Sequence, residues 1–201
     1  MIEIERDAGL LVLRLNRSDK ANSLTKAMLE ALDAALSGDT PAALILTGAG
    51  TVFSAGADLD EARAGLATDG VWERLSARIA ALPCLTIAAL NGTLAGGAMG
   101  MVLACDLRLA VPPAKFFYPV MKLGFLPQPS DPARLVALIG PARAKLILMG
   151  GAKIEADEAL AWGLIDRIVE PSSLMDSART LAADTLAAKP GHAAAIKRLI
   201  G

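Results

Sequence analysis

Two segments of this 201-residue chain have residue types and a spacing that can do chemistry through the main chain. The first runs Gly48-Ala49-Gly50-Thr51-Val52-Phe53-Ser54-Ala55-Gly56-Ala57-Asp58-Leu59, and the second Asn91-Gly92-Thr93-Leu94-Ala95-Gly96-Gly97-Ala98-Met99-Gly100. Each is expected to join a strand to a helix. Small residues let a ligand approach the backbone closely, and the first N–H groups of a helix have no internal acceptor. Two such N–H groups aimed at one oxygen would stabilise negative charge developing there. Glycine turns before helices are common, so either segment alone is a weak signal. Neither is a phosphate loop, because no G-x-x-x-x-G-K-[ST] run occurs. No G-x-G-x-x-G follows the first long strand either, which removes the dinucleotide fingerprint.

The elements that must hold these segments can be read from hydrophobic periodicity. Ile2-Glu3-Ile4-Glu5 alternates, and Leu10 to Leu15 is an apolar run; with Asp7-Ala8-Gly9 between them they predict a β-hairpin. Thr25 caps a predicted helix to about Leu36 that carries Met28, Leu29, Leu32 and Leu36 on one face. Ala43 to Thr47 and Leu85 to Leu90 read as buried strands, with a helix over Val71 to Leu82 between them. A helix from about Gly96 to Ala104 and a strand from Asp106 to Ala110 follow. Asp131, with Pro132 behind it, reads as a helix cap and first helical residue. Further helices fit Ala142 to Met149, Ala156 to Trp162 and Ser173 to Ala188. Strands and helices alternate throughout, which predicts an α/β fold, and no linker, repeat or low-complexity stretch divides residues 1–201 into more than one domain.

Composition narrows the function classes. Hydrophobic residues make up 54% but aromatic residues only 3%, so the core is aliphatic. A net charge of -1 gives no electrostatic reason to expect nucleic acid or an anionic membrane as partner. The stretch from Ile79 to Cys105 has no charge and is long enough to span a bilayer. Pro83, Asn91 and the glycines at 92, 96, 97 and 100 interrupt it, which fits a buried strand, turn and helix better. Cys84 and Cys105 are too few for a disulfide framework and lack metal-ligand spacing. Together with an acidic start, MIEIERD, that does not read as a signal peptide, they make a cytoplasmic setting the expectation.

Three blocks in order carry a resemblance: Asn16-Arg17-Ser18-Asp19-Lys20-Ala21-Asn22-Ser23-Leu24, then Phe53 to Leu59, then Ile87-Ala88-Ala89-Leu90-Asn91-Gly92 through Gly96-Gly97 to Asp106. This combination resembles the crotonase superfamily, the enoyl-CoA hydratase/isomerase family. Phe116 to Pro127 and Ala159 to Asp166 are similar to it too, so the resemblance covers nearly the whole chain. It implies a spiral of ββα units with two roughly perpendicular sheets surrounded by helices. It implies an acyl-coenzyme A thioester as ligand, coenzyme A being part of the substrate and no separate cofactor or metal being needed. The backbone N–H groups of Ala57 and Gly97 would form an oxyanion hole. Lys20, Ala21 and Asn22, with Ser54, Ala55, Ala57, Asp58 and Leu59, match the regions that cradle the nucleotide and pantetheine arm. Lys20 also reads as a solvated loop lysine, and Asp58 as the cap of the next helix.

The chain departs from that pattern where hydration chemistry belongs. Hydratases of the family deliver water with two glutamates, and the matching positions here are Gly100 and Val120. Neither can move a proton through its side chain, which argues against ordinary hydratase activity. Some members place a carboxylate in the loop after the Leu123-Gly124 pair, where Gln128 stands; it can donate a hydrogen bond but does not titrate. Other candidates each have a plainer reading. Asp60 and Glu61 reach the acyl pocket or lie on a solvated first helical turn. Tyr118 is catalytic or a core residue with a satisfied hydroxyl. Asp131 titrates but reads better as a cap. His192 reads as a surface residue. The chain also lacks the family's usual C-terminal helical region, which weakens the expectation of a trimer-based homo-oligomer. What remains is an enzyme that stabilises a thioester enolate, as a lyase or isomerase, or a catalytically silent acyl-CoA-binding or structural homologue.

Overall fold

The structure, a computed structural model, describes residues 1–200. Its elements are β1 (Ile2–Asp7), β2 (Leu10–Leu15), α1 (Lys26–Ala35), β3 (Ala43–Gly48), β4 (Val52–Ser54), α2 (Leu59–Arg63), α3 (Val71–Ala81), β5 (Leu85–Leu90), β6 (Thr93–Ala95), α4 (Met99–Leu103), β7 (Leu107–Ala110), β8 (Lys115–Phe117), α5 (Val120–Leu123), α6 (Asp131–Leu148), β9 (Ile154–Glu155), α7 (Ala156–Trp162), β10 (Arg167–Ile168), α8 (Leu174–Ala187) and α9 (His192–Ile200). The α/β expectation holds, with helices surrounding two mixed sheets.

The larger sheet has the order β1-β2-β3-β5-β7-β10; β1 and β2 are antiparallel and every other neighbour is parallel. The hairpin turns on Ala8 and Gly9, both at positive φ, as a two-residue loop between twisted strands requires. β3 is buried along its whole length, which explains its unbroken apolar run. The smaller sheet has the order β4-β6-β8-β9, with β4, β6 and β8 parallel. These strands are three residues long or shorter and have no readable alternation, so the periodicity did not reveal them.

Thr25 caps α1, its hydroxyl accepting the Met28 N–H at 3.2 Å. α3 and α8 lie within a residue of their expected ends. The helix expected from Gly96 begins as a 3-10 turn over Gly96–Ala98 and becomes α-helical at Met99. The two helices expected around residues 131 and 142 form one run, α6, broken at Gly140 (φ 78°, ψ 164°), with Pro141 starting its second half. One expectation is overturned there: Ser130 occupies the cap position, and Asp131 is the first helical residue with its side chain turned inward. At the far end, Lys197 of α9 donates to Cys84 O at 3.0 Å and pairs with Asp106 at 2.8 Å. His192 is exposed, as expected.

Candidate active site

Parallel strands that lie side by side deliver their C-terminal ends to one mouth. β4 leads into Ala55-Gly56-Ala57, β6 into Gly96-Gly97-Ala98, and β8 into Tyr118-Pro119-Val120. All of these residues except Ala98 line one cavity of about 110 Å³, together with Leu59, Trp72, Leu123, Phe125, Leu126 and Gln128. The first two touch. A Cβ on Gly56 (φ 93°) would lie 3.0 Å from Ala95 O and 3.4 Å from Gly96 Cα, so both conformation and space require glycine there. A Cβ on Gly97 would meet the Trp72 ring at 3.2–3.3 Å, so that ring forms the wall behind the glycine.

The main chain around Ala57 is tied down on both sides. Ala55 N–H donates to Ala21 O at 2.9 Å, and Asp58 N–H to Leu24 O at 2.9 Å. Between them, the Ala57 N–H is bonded to no acceptor among the described residues. Gly97 lies in the first helical turn after β6, where N–H groups lack intrahelical acceptors. Two open main-chain donors therefore line one apolar cavity.

Several side chains expected to cradle a ligand instead hold this loop. Asn22 is fully buried; its amide donates to Ala49 O and Val52 O at 2.9 and 2.7 Å and accepts the Arg17 N–H at 2.8 Å. Ser54 is buried too, donating to Asn22 O at 2.8 Å and accepting the Gly56 N–H at 3.1 Å. Asp58 caps α2 and pairs with Arg17 at 2.7 Å; the Arg17 hydrogen bond, then the α2 N–H groups, hold its carboxyl below the usual carboxylate range. Lys20, Ala55, Ala57, Asp58 and Leu59 do share a second, open cleft beside the cavity, along with Arg17, Asp60 and Arg63.

The proposed acids separate. Asp60 is exposed and pairs with Arg63 at 3.1 Å, while Glu61 accepts the Lys26 N–H at 2.6 Å across the start of α1. Neither lines the apolar cavity. Gln128 does, with its Nε2 donating to Ala67 O at 3.4 Å. Tyr118 lines it as well and donates its hydroxyl to Asp131 Oδ2 at 2.9 Å. Asp131 has no exposure, and burial, opposed in part by the Tyr118 hydrogen bond and by Arg134, pushes its carboxyl up to about 6. Burial, then the Asp131 charge, pushes the Tyr118 hydroxyl up as well.

Residues 5–200 match the family model for enoyl-CoA hydratase/isomerase. The chain belongs to that family, within the crotonase superfamily. A short-chain-enoyl-CoA hydratase from Clostridium acetobutylicum is 34% identical over 89% of this chain and 72% of its own length. A 4-chlorobenzoyl coenzyme A dehalogenase from an Arthrobacter species is also 34% identical, over 95% of this chain and 74% of its own. In three dimensions, an enoyl-CoA hydratase from Bacillus anthracis superposes with a TM-score of 0.91 at 33% identity, covering 99% of this chain and 81% of that one. The relatives thus have names that carry different reactions on coenzyme A thioesters.

Gly100 and Val120, the two positions that the resemblance matches to glutamates, have different surroundings. Val120 is an apolar wall of the cavity. Gly100 is buried, and a Cβ there would lie 2.8 Å from Asp131 Oδ1 and 3.3 Å from Oδ2. The Asp131 carboxylate, arriving from α6, fills the space that a side chain at 100 would take. Sequence reading could not supply this, because Asp131 and Gly100 are brought together only by the packing of α6 on α4.

Proposed function

We propose that the protein binds an acyl-CoA thioester, seats its carbonyl oxygen between the N–H groups of Ala57 and Gly97, and stabilises the enolate of that thioester. The observation that carries this reading is the convergence of two open main-chain donors on one apolar cavity. Such donors act in a water-poor site on charge that develops during reaction, where one of them typically contributes about 10²–10³-fold. The open cleft with Lys20 beside the cavity suits the polar part of coenzyme A, leaving the acyl group to the apolar side. Two-glutamate hydration is not its chemistry, because Gly100 and Val120 carry no titrating group. Decarboxylation or double-bond isomerisation of the thioester fits the site better. A cytoplasmic homo-oligomer built on trimers completes the reading, supported by two buried free cysteines and by the family resemblance.

A second reading has its own support: no carboxylate among the described residues lines the cavity, which is what a silent acyl-CoA-binding homologue would present. Titration calorimetry with butyryl-CoA, followed by turnover of crotonyl-, 3-enoyl- and methylmalonyl-CoA, separates the two. Turnover of any one establishes the enzyme, and Gly97→Pro, which deletes one donor, should then cost about 10²–10³-fold in rate. Binding without turnover favours the silent homologue. No binding would end both.

A further inference from the structure

Asp131 is expensive as a purely structural residue. It is fully buried, Oδ1 has no hydrogen-bond partner, and the nearest cation, Arg134 Nη1, stands 4.0 Å away and is itself unpartnered. An asparagine could accept the Tyr118 hydrogen bond without a buried charge. Buried acids with no structural return are where catalytic function is to be sought. Ser130 fixes the place of this carboxylate, because its N–H and hydroxyl both donate to Glu73 of α3 and so pin the start of α6. Tyr118 stands between Asp131 and the cavity that Ala57 and Gly97 line.

We propose that Tyr118 is the catalytic proton-transfer residue of this member and that Asp131, acting through it from the space over Gly100, replaces the carboxylate absent at position 100. The proposal rests on the enolate reading given above. The C–H bond at the thioester α-carbon breaks, its proton passes to Tyr118 Oη, and the Tyr118 hydroxyl proton passes to Asp131 Oδ2. The electron pair of the C–H bond moves to the thioester oxygen, held by the two N–H groups. One carboxylate charge becomes one enolate charge, and nothing further is consumed. The reverse relay returns a proton to the same carbon or, in an unsaturated acyl chain, to its vinylogous position. The groups facing Asp131 are Tyr118 from the β8–α5 corner, Arg134 one turn along α6 and, through Ser130, Glu73 of α3; α4 presents only Gly100.

The test is exchange of the α-protons of butyryl-CoA with deuterated solvent, followed by mass spectrometry, beside calorimetric binding of the same thioester. The wild-type exchange rate should rise with pH and level off above about 6, as Asp131 ionises. Asp131→Asn and Tyr118→Phe should each lower exchange by about 10²–10⁴-fold while affinity stays within about threefold. Exchange in Asp131→Asn at the wild-type rate would overturn the proposal. So would a wild-type rate that does not change between about pH 5 and pH 8, a result that does not depend on how either variant folds. Tight binding with no exchange would overturn it and leave the acyl-CoA reading standing. Absence of binding would remove both.

Discussion

Positions 100 and 120, which the family resemblance matches to the two glutamates of the hydratases, have opposite surroundings in this structure. At the β8–α5 corner Val120 is an apolar part of the cavity wall, and no carboxylate among the described residues lines the cavity. At the start of α4, Asp131 of α6 puts a carboxylate where a side chain at position 100 would lie. One side of the site is apolar, and the other has an acid on a different element, hydrogen-bonded to a tyrosine. On the proposed reading, a proton is handled on one face of the acyl group through Tyr118 and Asp131, and Val120 offers no second acid.

The sharpest way to break this comparison is to return the glutamates one at a time. Gly100→Glu would place a Cβ 2.8 Å from Asp131 Oδ1 and a second carboxylate in the same buried space. It should destabilise the fold by about 4 kcal/mol or more, measured by urea unfolding. Adding Asp131→Ala should recover at least about 2 kcal/mol of that, because the two residues compete for one volume. Val120→Glu, at the cavity, should cost about 1–2 kcal/mol and show no coupling to Asp131. Equal costs at the two positions would mean that Asp131 does not own the space over Gly100.

The next effect is a pH dependence. In the unfolded chain the Asp131 carboxyl titrates near its ordinary 3.8, and in the folded protein burial moves it to about 6. Between those values the folded protein holds a proton that the unfolded chain has released, so stability falls as pH rises through this window. The loss amounts to about 3 kcal/mol by about pH 7. Asp131→Asn has no such group. The stability of wild type minus that of the variant should therefore drop by about 2 kcal/mol from about pH 4 to about pH 7. Asp58 and Asp69, held low by cationic partners, lose their contribution at more acid pH and are common to both proteins. A flat difference would show that Asp131 is not buried as an acid.

Much of this site was legible in the residues, and the part that was not has a physical reason. The apolar runs of β2, β3 and β5 and the spacing of α1 and α3 are local patterns, and their elements formed where the patterns lie. The two glycine segments were readable because glycine tolerates few substitutes where chains touch, and the segments do touch; the choice of Ala57 and Gly97 within them came from the family resemblance. Asp131 was misread because a local rule, an acid before a proline at a helix start, competed with a contact that only tertiary packing creates. The strands β4, β6 and β8, which bring the site together, are too short to show a period. Asn22 and Ser54 lie in segments that match the family's ligand-cradling regions, and their polar side-chain atoms bond the backbone of the loop, a contact the sequence does not reveal.

The smallest expected effect concerns the open cleft rather than the cavity. Of its cations, Arg17 is paired with Asp58 at 2.7 Å and Arg63 with Asp60 at 3.1 Å, whereas Lys20 has no carboxylate partner among the described residues. A lysine that pairs with nothing in the protein is the one with charge to offer a phosphate. Because it is exposed, its attraction is screened, and such contacts contribute about 0.2–1 kcal/mol. Lys20→Ala should therefore weaken butyryl-CoA binding by only about 1.5- to 5-fold at low salt. The effect should shrink further at high salt, and α-proton exchange at saturating thioester should be unchanged. A large loss of exchange would instead tie the Lys20 loop to the geometry of Ala57, to which it is joined through the bond from Ala55 N–H to Ala21 O. The cleft would then act as a positioning device for the cavity, and the division between a binding side and a reacting side would no longer hold.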